Sequence, residues 1–244
     1  MFADRDLPLL SDAYAELAGL LLASETFDDF SQRIAELAAR TVPVAATCAI
    51  TLALDDRVVT VASADALGRL LDEQQYDIDE GPCLEAARTG QPVSAPDVAS
   101  ETRWDGYPVT VVGHGIGSIY SEPLVVNGRT LGALNMYAHA PNAFAPEIRS
   151  LVRALAHLAA AGMAGALKNF DEVTLASRLR RALSTRGVID QAVGIIIAHQ
   201  HLTPEEAFGV LRRISQSRNV RLHEVARELL ARASSDASQD LARE

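Results

Sequence analysis

Apolar residues between positions 179 and 232 recur every three or four positions, which is the spacing of amphipathic helices. The stripe of the first helix lies at Ile189, Ala192, Val193, Ile196 and Ile197. The inward positions predicted for the second and third helices are Ala207, Phe208, Leu211 and Ile214, then Leu222, Val225, Ala226, Leu229 and Leu230. This region is therefore predicted to be a bundle of three helices.

Local signals set where the later helices of this bundle begin. Thr203 is a good N-cap, Pro204 suits the first helical position, and Glu206 completes a capping box. Asn219 is placed to cap the third helix. The second helix is predicted to begin at Pro204, with Arg212, Arg213 and Gln216 on or beside its outer face.

The front of the chain alternates helical patterns with short β-branched runs. Helices are predicted over 7–22, 24–40 and 66–76, and strands over 46–54, 58–63, 92–95, 118–126 and 130–138. Asn127-Gly128 between the last two strands is a strong hairpin signal. Gly81-Pro82 opens a short helix that Gly90 ends, and residues 100–117 are predicted to form a helix and a mobile connection. The pattern predicts an α+β fold with an antiparallel sheet.

A long helix is predicted from Pro146, because apolar residues keep helical spacing as far as Val173 and no proline occurs before Pro204; if continuous, the helix reaches Leu183. Small residues concentrate at 159–166 and permit close approach of another helix. We expect this helix, with the N-terminal helix, to pair with its copy in a homodimer; the alternative is that it packs within its own domain. The tail 233–244 is polar and is expected to be disordered.

Charge separates the two ends of the chain. The protein carries a formal net charge of −10, yet residues 172–232 hold ten Arg and six Asp or Glu. Positive charge concentrated in one module of an acidic protein is the footprint of a nucleic-acid contact. A solvated helix end with surface ion pairs would give the same count, so both interpretations stand on charge alone.

The strings TRGVIDQAVGIIIA and EEAFGVLRRISQSRNVRLHEVA resemble the ANTAR domain, a three-helix RNA-binding module of bacterial transcription antiterminators. The matching positions are Ala182, Leu183, Arg186, Ile189, Gln191, Ala192, Gly194, Ala207, Phe208, Leu211, Ser215, Asn219, Leu222 and Ala226. Thr185 stands where the family usually has Ser, and Val193 where Lys is common, which removes a possible phosphate contact from the first helix. The resemblance implies binding of paired hairpin loops in nascent RNA and disfavouring of a terminator.

Guanidinium groups match phosphate oxygens and base edges, and hydroxyl or amide side chains bond either way. The residues predicted to face RNA are Arg186, Arg212, Arg213, Ser215, Gln216, Arg218, Asn219 and Arg221. For Ser215 the alternative is a position facing the bundle, and for Asn219 it is a helix cap alone.

The pieces EGPCLEAARTGQPV, RWDGYP, SIYSEPL and LGALNMYA resemble a GAF domain of the kind joined to ANTAR modules in actinobacteria. The organisation implied is an N-terminal helix (1–24), a GAF-like sensor (25–145), a connecting and dimerisation helix (146–178), an ANTAR domain (179–232) and the tail (233–244). GAF domains bind varied small molecules or none, so the ligand and any cofactor stay unknown. A pocket is expected under the loops over one sheet face, with candidates Tyr76, Cys83, Trp104 and His114.

The remaining motifs do not indicate a redox, metal, dinucleotide-binding or catalytic site. Cys83 follows a helix start whose amides could lower its thiol pKa, but a lone cysteine is usually a buried apolar residue and Asp79, Glu80 and Glu85 oppose a thiolate. His199 and His201 lack a third ligand, so no metal site is predicted. The spacing in Gly113-His-Gly-Ile-Gly117 is wrong for a dinucleotide loop, and no catalytic motif occurs.

The resulting expectation is a cytoplasmic, non-enzymatic RNA-binding regulator without a signal peptide or a membrane span. Two alternatives remain open. The chain could be a helical adaptor whose arginines meet an acidic protein partner, or the front domain could be an enzyme acting on a small molecule.

Overall fold

The computed structural model describes residues 12, 15–20, 23–24, 26–54, 57–104, 106–169, 188–218, 220 and 222–241. The chain divides into two units, Met1–Ala176 and Ser177–Glu244. Each unit has its own hydrophobic core.

Five antiparallel strands form the sheet of the first unit. They are β1 (Thr47–Leu54), β2 (Arg57–Ser63), β3 (Val93–Ala95), β4 (Ser118–Val126) and β5 (Arg129–Ala138), in the order β2-β1-β5-β4-β3. Asn127 and Gly128 join β4 to β5 with positive φ values of 51° and 75°, as a two-residue primed turn requires. This part of the α+β prediction is confirmed.

One face of the sheet is covered by helices from the beginning and the end of the unit. These are α1 (helical at residues 15–20), α2 (Phe27–Thr41) and α6 (Pro146–Asn169). Thr26 caps α2, because its Oγ1 accepts a hydrogen bond of 3.2 Å from the amide of Asp29. The core on this face includes Phe30, Ile34, Ile50, Leu134, Val152 and Met163.

The opposite face is covered by the helices between the strands. They are α3 (Ala66–Ile78), α4 (Pro82–Thr89) and α5 (Tyr107–Gly113), with a 3-10 turn at Val98–Ser100. Gly106 precedes α5 with a φ of 82°, so the segment predicted over 100–117 contains a defined helix that begins at Tyr107. The core here includes Leu71, Trp104, Tyr107, Val111, Ile119 and Tyr137.

The second unit contains three helices, α7 (Val188–Gln200 as described), α8 (Pro204–Arg218) and α9 (Leu222–Leu241). The predicted capping box is present: the amide of Thr203 donates to Glu206 (2.9 Å), and the amide of Glu206 donates to the Thr203 hydroxyl (3.3 Å). The buried core consists of Ile189, Ala192, Ile196, Ala207, Leu211, Leu222, Val225 and Ala226.

One expectation for this unit is wrong. Ile214 was expected to face inward but is 36% exposed, because the row Ala207, Leu211, Ser215 faces the bundle and Ile214 lies about 100° around the helix from Ser215. Helix α9 continues to Leu241, into the segment for which disorder is predicted. No glycine or proline follows Leu222 to end the helix.

Helix α6 has the length and apolar composition of a membrane span over Pro146–Leu167, a property that the sequence prediction did not recognise. Half of that window is buried inside the unit, against α2 and the sheet, as in a core helix. Residues 170–183, over which the helix was predicted to continue, lie outside the described residues.

Candidate nucleic-acid interface and sensor core

Helix α8 carries three of the five arginines that are predicted to contact RNA, namely Arg212, Arg213 and Arg218. Arg213 and Arg218 are exposed, whereas Arg212 is half-buried and engaged in contacts of its own. Arg186, Asn219 and Arg221 lie outside the described residues, as does the side chain of Gln216. Among the described side chains, Arg213 and Arg218 are therefore the predicted guanidinium groups that are exposed.

Ser215 has a defined structural role. Its hydroxyl donates a hydrogen bond of 2.6 Å to the carbonyl oxygen of Val220, across the turn from α8 to α9. The amide of Val220 in turn donates to the carbonyl oxygen of Ser215 (3.1 Å). Ser215 thus fixes the shape of the turn, in agreement with the alternative in which it faces the bundle.

Arg218 forms a forked ion pair with Glu228 on α9. Its Nη1 lies 2.8 Å from Oε2 of Glu228, and its Nη2 lies 3.2 Å from Oε1. Both side chains are 43% exposed. The sequence prediction missed Glu228, because the pair spans ten positions and two helices rather than one helical turn.

Two of the four pocket candidates in the sensor unit are buried, and a third, Tyr76, is half-buried. Cys83 and Trp104 are buried, and the hydroxyl of Tyr76 lies 2.8 Å from that of Thr60. Trp104 donates to Glu85 (3.2 Å) and lies under the guanidinium of Arg103, 4.3 Å from the ring centroid. His114 is exposed, with its Nε2 3.3 Å from the amide nitrogen of Gln74.

The side of the sheet where the pocket was expected holds a buried polar cluster around Asp72. Oδ1 of Asp72 accepts hydrogen bonds from the hydroxyl of Tyr137 (2.5 Å) and the amide of Asn135 (3.1 Å), and Oδ2 accepts one from the hydroxyl of Thr60 (2.9 Å). Gln75 donates to Tyr137 (3.1 Å) and accepts from the amide of Cys83 (2.8 Å). The side chains of the unit itself therefore occupy this region.

Burial determines the ionisation of this cluster. Desolvation raises the pKa of Asp72 to about 7, against the opposing effect of hydrogen bonds from Tyr137, Thr60 and Asn135 and of the charge of Arg69. Burial also raises the pKa of the Cys83 thiol well above its ordinary value, and the nearby Asp72 adds to that effect. The amide expected to favour a thiolate is bonded to Gln75 instead, so the structure does not make Cys83 a reactive thiol.

The sequence contains a pattern that could have predicted this cluster. Asp72, Gln75 and Tyr76 are spaced three and four positions apart on α3, and Asn135 and Tyr137 alternate on β5. Polar residues at these spacings lie on one face of a helix and one face of a strand. The sequence does not indicate that this helix face packs against this strand face; only the fold shows it.

The described residues also include an apolar crevice on the other sheet face, lined by Leu17, Ile34, Leu37, Ala38, Leu134, Leu155 and Leu158. Among the described side chains, His, Cys, Asp and Glu form no group of three that could hold a metal ion.

Comparison with known proteins places both units in families. The GAF domain profile matches residues 24–164, and the ANTAR domain profile matches residues 177–230. A search of curated proteins finds no match to this chain.

Solved structures resemble the first unit in fold. The GAF domain of an Acinetobacter phosphoenolpyruvate-protein phosphotransferase is 16% identical with a TM-score of 0.54, covering 70% of this chain and 99% of that one. Free methionine-R-sulfoxide reductase from Neisseria meningitidis is 14% identical with a TM-score of 0.53, covering 69% and 95%. At these identities the likeness shows the fold alone. The chain belongs to the GAF domain family, and its C-terminal unit makes it a two-domain regulator of the GAF–ANTAR type.

Proposed function

We propose that this protein is a transcription antiterminator in which the GAF sensor controls binding of the ANTAR unit to paired hairpin loops of nascent RNA. ANTAR is an RNA-binding antitermination module and GAF is a sensor domain. By holding hairpins that compete with a terminator, the protein lets transcription continue. This places the proposed activity in the cytoplasm, where nascent transcripts are.

The observation that carries the proposal is the exposed guanidinium surface of the ANTAR unit. Arg213 and Arg218 on α8 and Arg227 and Arg232 on α9 are all exposed, in a protein whose net charge is −10. Permanent cations with forked donors suit phosphate oxygens. From the sequence, Arg186, Arg212, Gln216, Asn219 and Arg221 are proposed to contact RNA as well.

Recovery and sequencing of RNA bound to the purified full-length protein tests this function. We expect enrichment of transcripts with two adjacent hairpins upstream of a terminator. With such an RNA, Arg213→Ala should lower affinity. It should also make the slope of the logarithm of the binding constant against the logarithm of salt concentration shallower by about one unit. An absence of enriched hairpin RNA would contradict the proposal, and salt-dependent capture of an acidic protein instead would support the adaptor alternative.

A homodimer is the second part of the proposal, because antitermination through two hairpins suits two RNA-binding units. On α6, Arg153, His157 and Ala161 are exposed at spacing of four, which leaves one face available for a second copy. Ala161→Glu should shift sedimentation of the protein toward the monomer, and Ala99→Glu, at an exposed alanine outside α6, should not. A monomeric wild-type protein at micromolar concentration would exclude the dimer.

A further inference from the structure

Glu228 pairs with one arginine of the second unit and lies one helical turn from another. Arg218 at the end of α8 holds both carboxylate oxygens of Glu228 through its terminal nitrogens, at 2.8 and 3.2 Å. Arg232 follows Glu228 by four positions on α9, one helical turn away, and is exposed. One guanidinium group, from α8, therefore pairs with Glu228, and a second lies one helical turn away along α9.

The electrostatics agree with this arrangement. The hydrogen bond from Arg218 has the largest effect on the pKa of Glu228, which it lowers, and the charges of Arg218 and Arg232 lower this pKa further. The two parallel N–H groups of a guanidinium can donate hydrogen bonds to a phosphate in the same way as to a carboxylate. The carboxylate of Glu228 thus stands where an RNA phosphate oxygen pair could stand.

The ion pair between Arg218 and Glu228 is also weak enough for a phosphate to replace the carboxylate. Both side chains are 43% exposed, and ion pairs of this kind contribute little to stability because water and salt screen them. A polyanion gains from releasing its condensed counterions when arginines neutralise its phosphates. Exchange of Glu228 for a phosphate is therefore favoured once RNA is near.

Resting on the proposed RNA-binding function, we propose that Arg218 and Arg232 form a phosphate-binding site that the carboxylate of Glu228 occupies in the free protein and leaves when RNA binds. Glu228 is then a built-in competitor that sets RNA affinity. Arg232 lies beyond the residues matched by the ANTAR profile, which end at 230, so the site extends the family surface along α9.

The decisive comparison uses the full chain and a two-hairpin RNA selected by the wild-type protein from a pool with randomised loops. Affinity is measured by fluorescence anisotropy across a salt series. Glu228→Gln should bind about threefold to fivefold more tightly than wild type. The slope of the logarithm of its binding constant against the logarithm of salt concentration should be steeper by up to about one unit. Glu224→Gln, an exposed glutamate one turn earlier on α9, removes the same charge and should have a smaller effect.

Two further variants identify the residues that take the phosphate. In the background of Arg218→Ala the gain from Glu228→Gln should vanish, and in the background of Arg232→Ala it should be reduced, because each arginine is half of the site. Thermal unfolding by circular dichroism confirms that every variant folds.

The outcomes separate the inference from the function on which it rests. Equal gains for Glu228→Gln and Glu224→Gln would overturn the inference, because bulk charge alone would explain them. Weaker binding by Glu228→Gln would overturn it too, because Glu228 would then position Arg218 for RNA. If the wild-type protein enriches no RNA from the pool, the proposed function itself fails and the inference fails with it.

Discussion

The hydroxyl of Tyr137 on β5 lies 2.5 Å from Oδ1 of Asp72 on α3, although the two residues are 65 positions apart in the chain. This contact joins the central part of the sheet to the helix that covers it. It also holds a carboxyl group in an interior where three neutral donors are its direct hydrogen-bond partners among the described residues.

Asp72 should make the stability of the sensor unit depend on pH. Its pKa is about 7 in the folded protein against 3.8 for the ordinary group, so folding favours the protonated form. The resulting stabilisation is fully present below about pH 4, is lost as pH rises to about 7, and is absent above. Its size is on the order of 4 kcal/mol.

Asp72→Asn should remove this pH dependence, because the amide cannot ionise. Urea unfolding at a series of pH values between 4 and 8 measures the effect. Glu36→Gln, at an exposed glutamate of α2, should keep the wild-type profile. A slope that survives in Asp72→Asn would show that another group is responsible.

Both cysteines should be unreactive in the native protein. Cys48 and Cys83 are fully buried, and desolvation raises both thiol pKa values well above the ordinary range. A disulfide reagent at pH 8 should modify neither thiol in native protein and both in guanidinium chloride. Rapid modification that Cys83→Ser abolishes would revive a redox role, and peroxide would then be expected to alter RNA affinity.

Two glycines of α6 should respond oppositely to alanine. A Cβ at Gly162 would lie 2.7 Å from Cζ of Phe30 on α2, so Gly162→Ala should lower the free energy of unfolding by about 1–3 kcal/mol. A Cβ at Gly165 meets no described atom within 4 Å, so Gly165→Ala should stabilise the helix by up to about 1 kcal/mol. Chemical denaturation at protein concentrations that keep the oligomeric state constant measures both, and equal effects would contradict the packing of α6 on α2.

Thr203→Ala should loosen the start of α8. The variant loses the hydroxyl that accepts from the amide of Glu206, at a cost of about 1 kcal/mol. Hydrogen exchange of α8 peptides in the full chain should then be about fivefold faster, whereas Thr203→Ser should exchange like wild type. Unchanged exchange in Thr203→Ala would mean that the capping box does not limit opening of α8.

The sequence allowed most secondary elements to be predicted because their signals are local. Thr203, Pro204 and Glu206 specify a helix start within four residues, and Asn127-Gly128 specifies a hairpin. The same local patterns placed the apolar row of α8 one position off at Ile214, because the bonding of Ser215 to Val220 decides which row faces the bundle.

The sites were less predictable because they depend on contacts between distant segments. Nothing in the spacing of Arg218 and Glu228 indicates a pair, and Asp72 meets Asn135 and Tyr137 only after α3 has packed on the sheet. The arginines were found because charge segregation is visible in composition. Glu228, the partner of Arg218, could not be predicted in this way.

The hydrogen bond from the amide of Cys83 to Gln75 ties the beginning of α4 to α3 beside Asp72. A small molecule that bound among these side chains only after the two helices had separated would bind by conformational selection. Its observed association rate would level off at high ligand concentration, at the intrinsic opening rate, instead of rising in proportion. A sensor built in this way would measure how long a metabolite persists as well as how much of it is present.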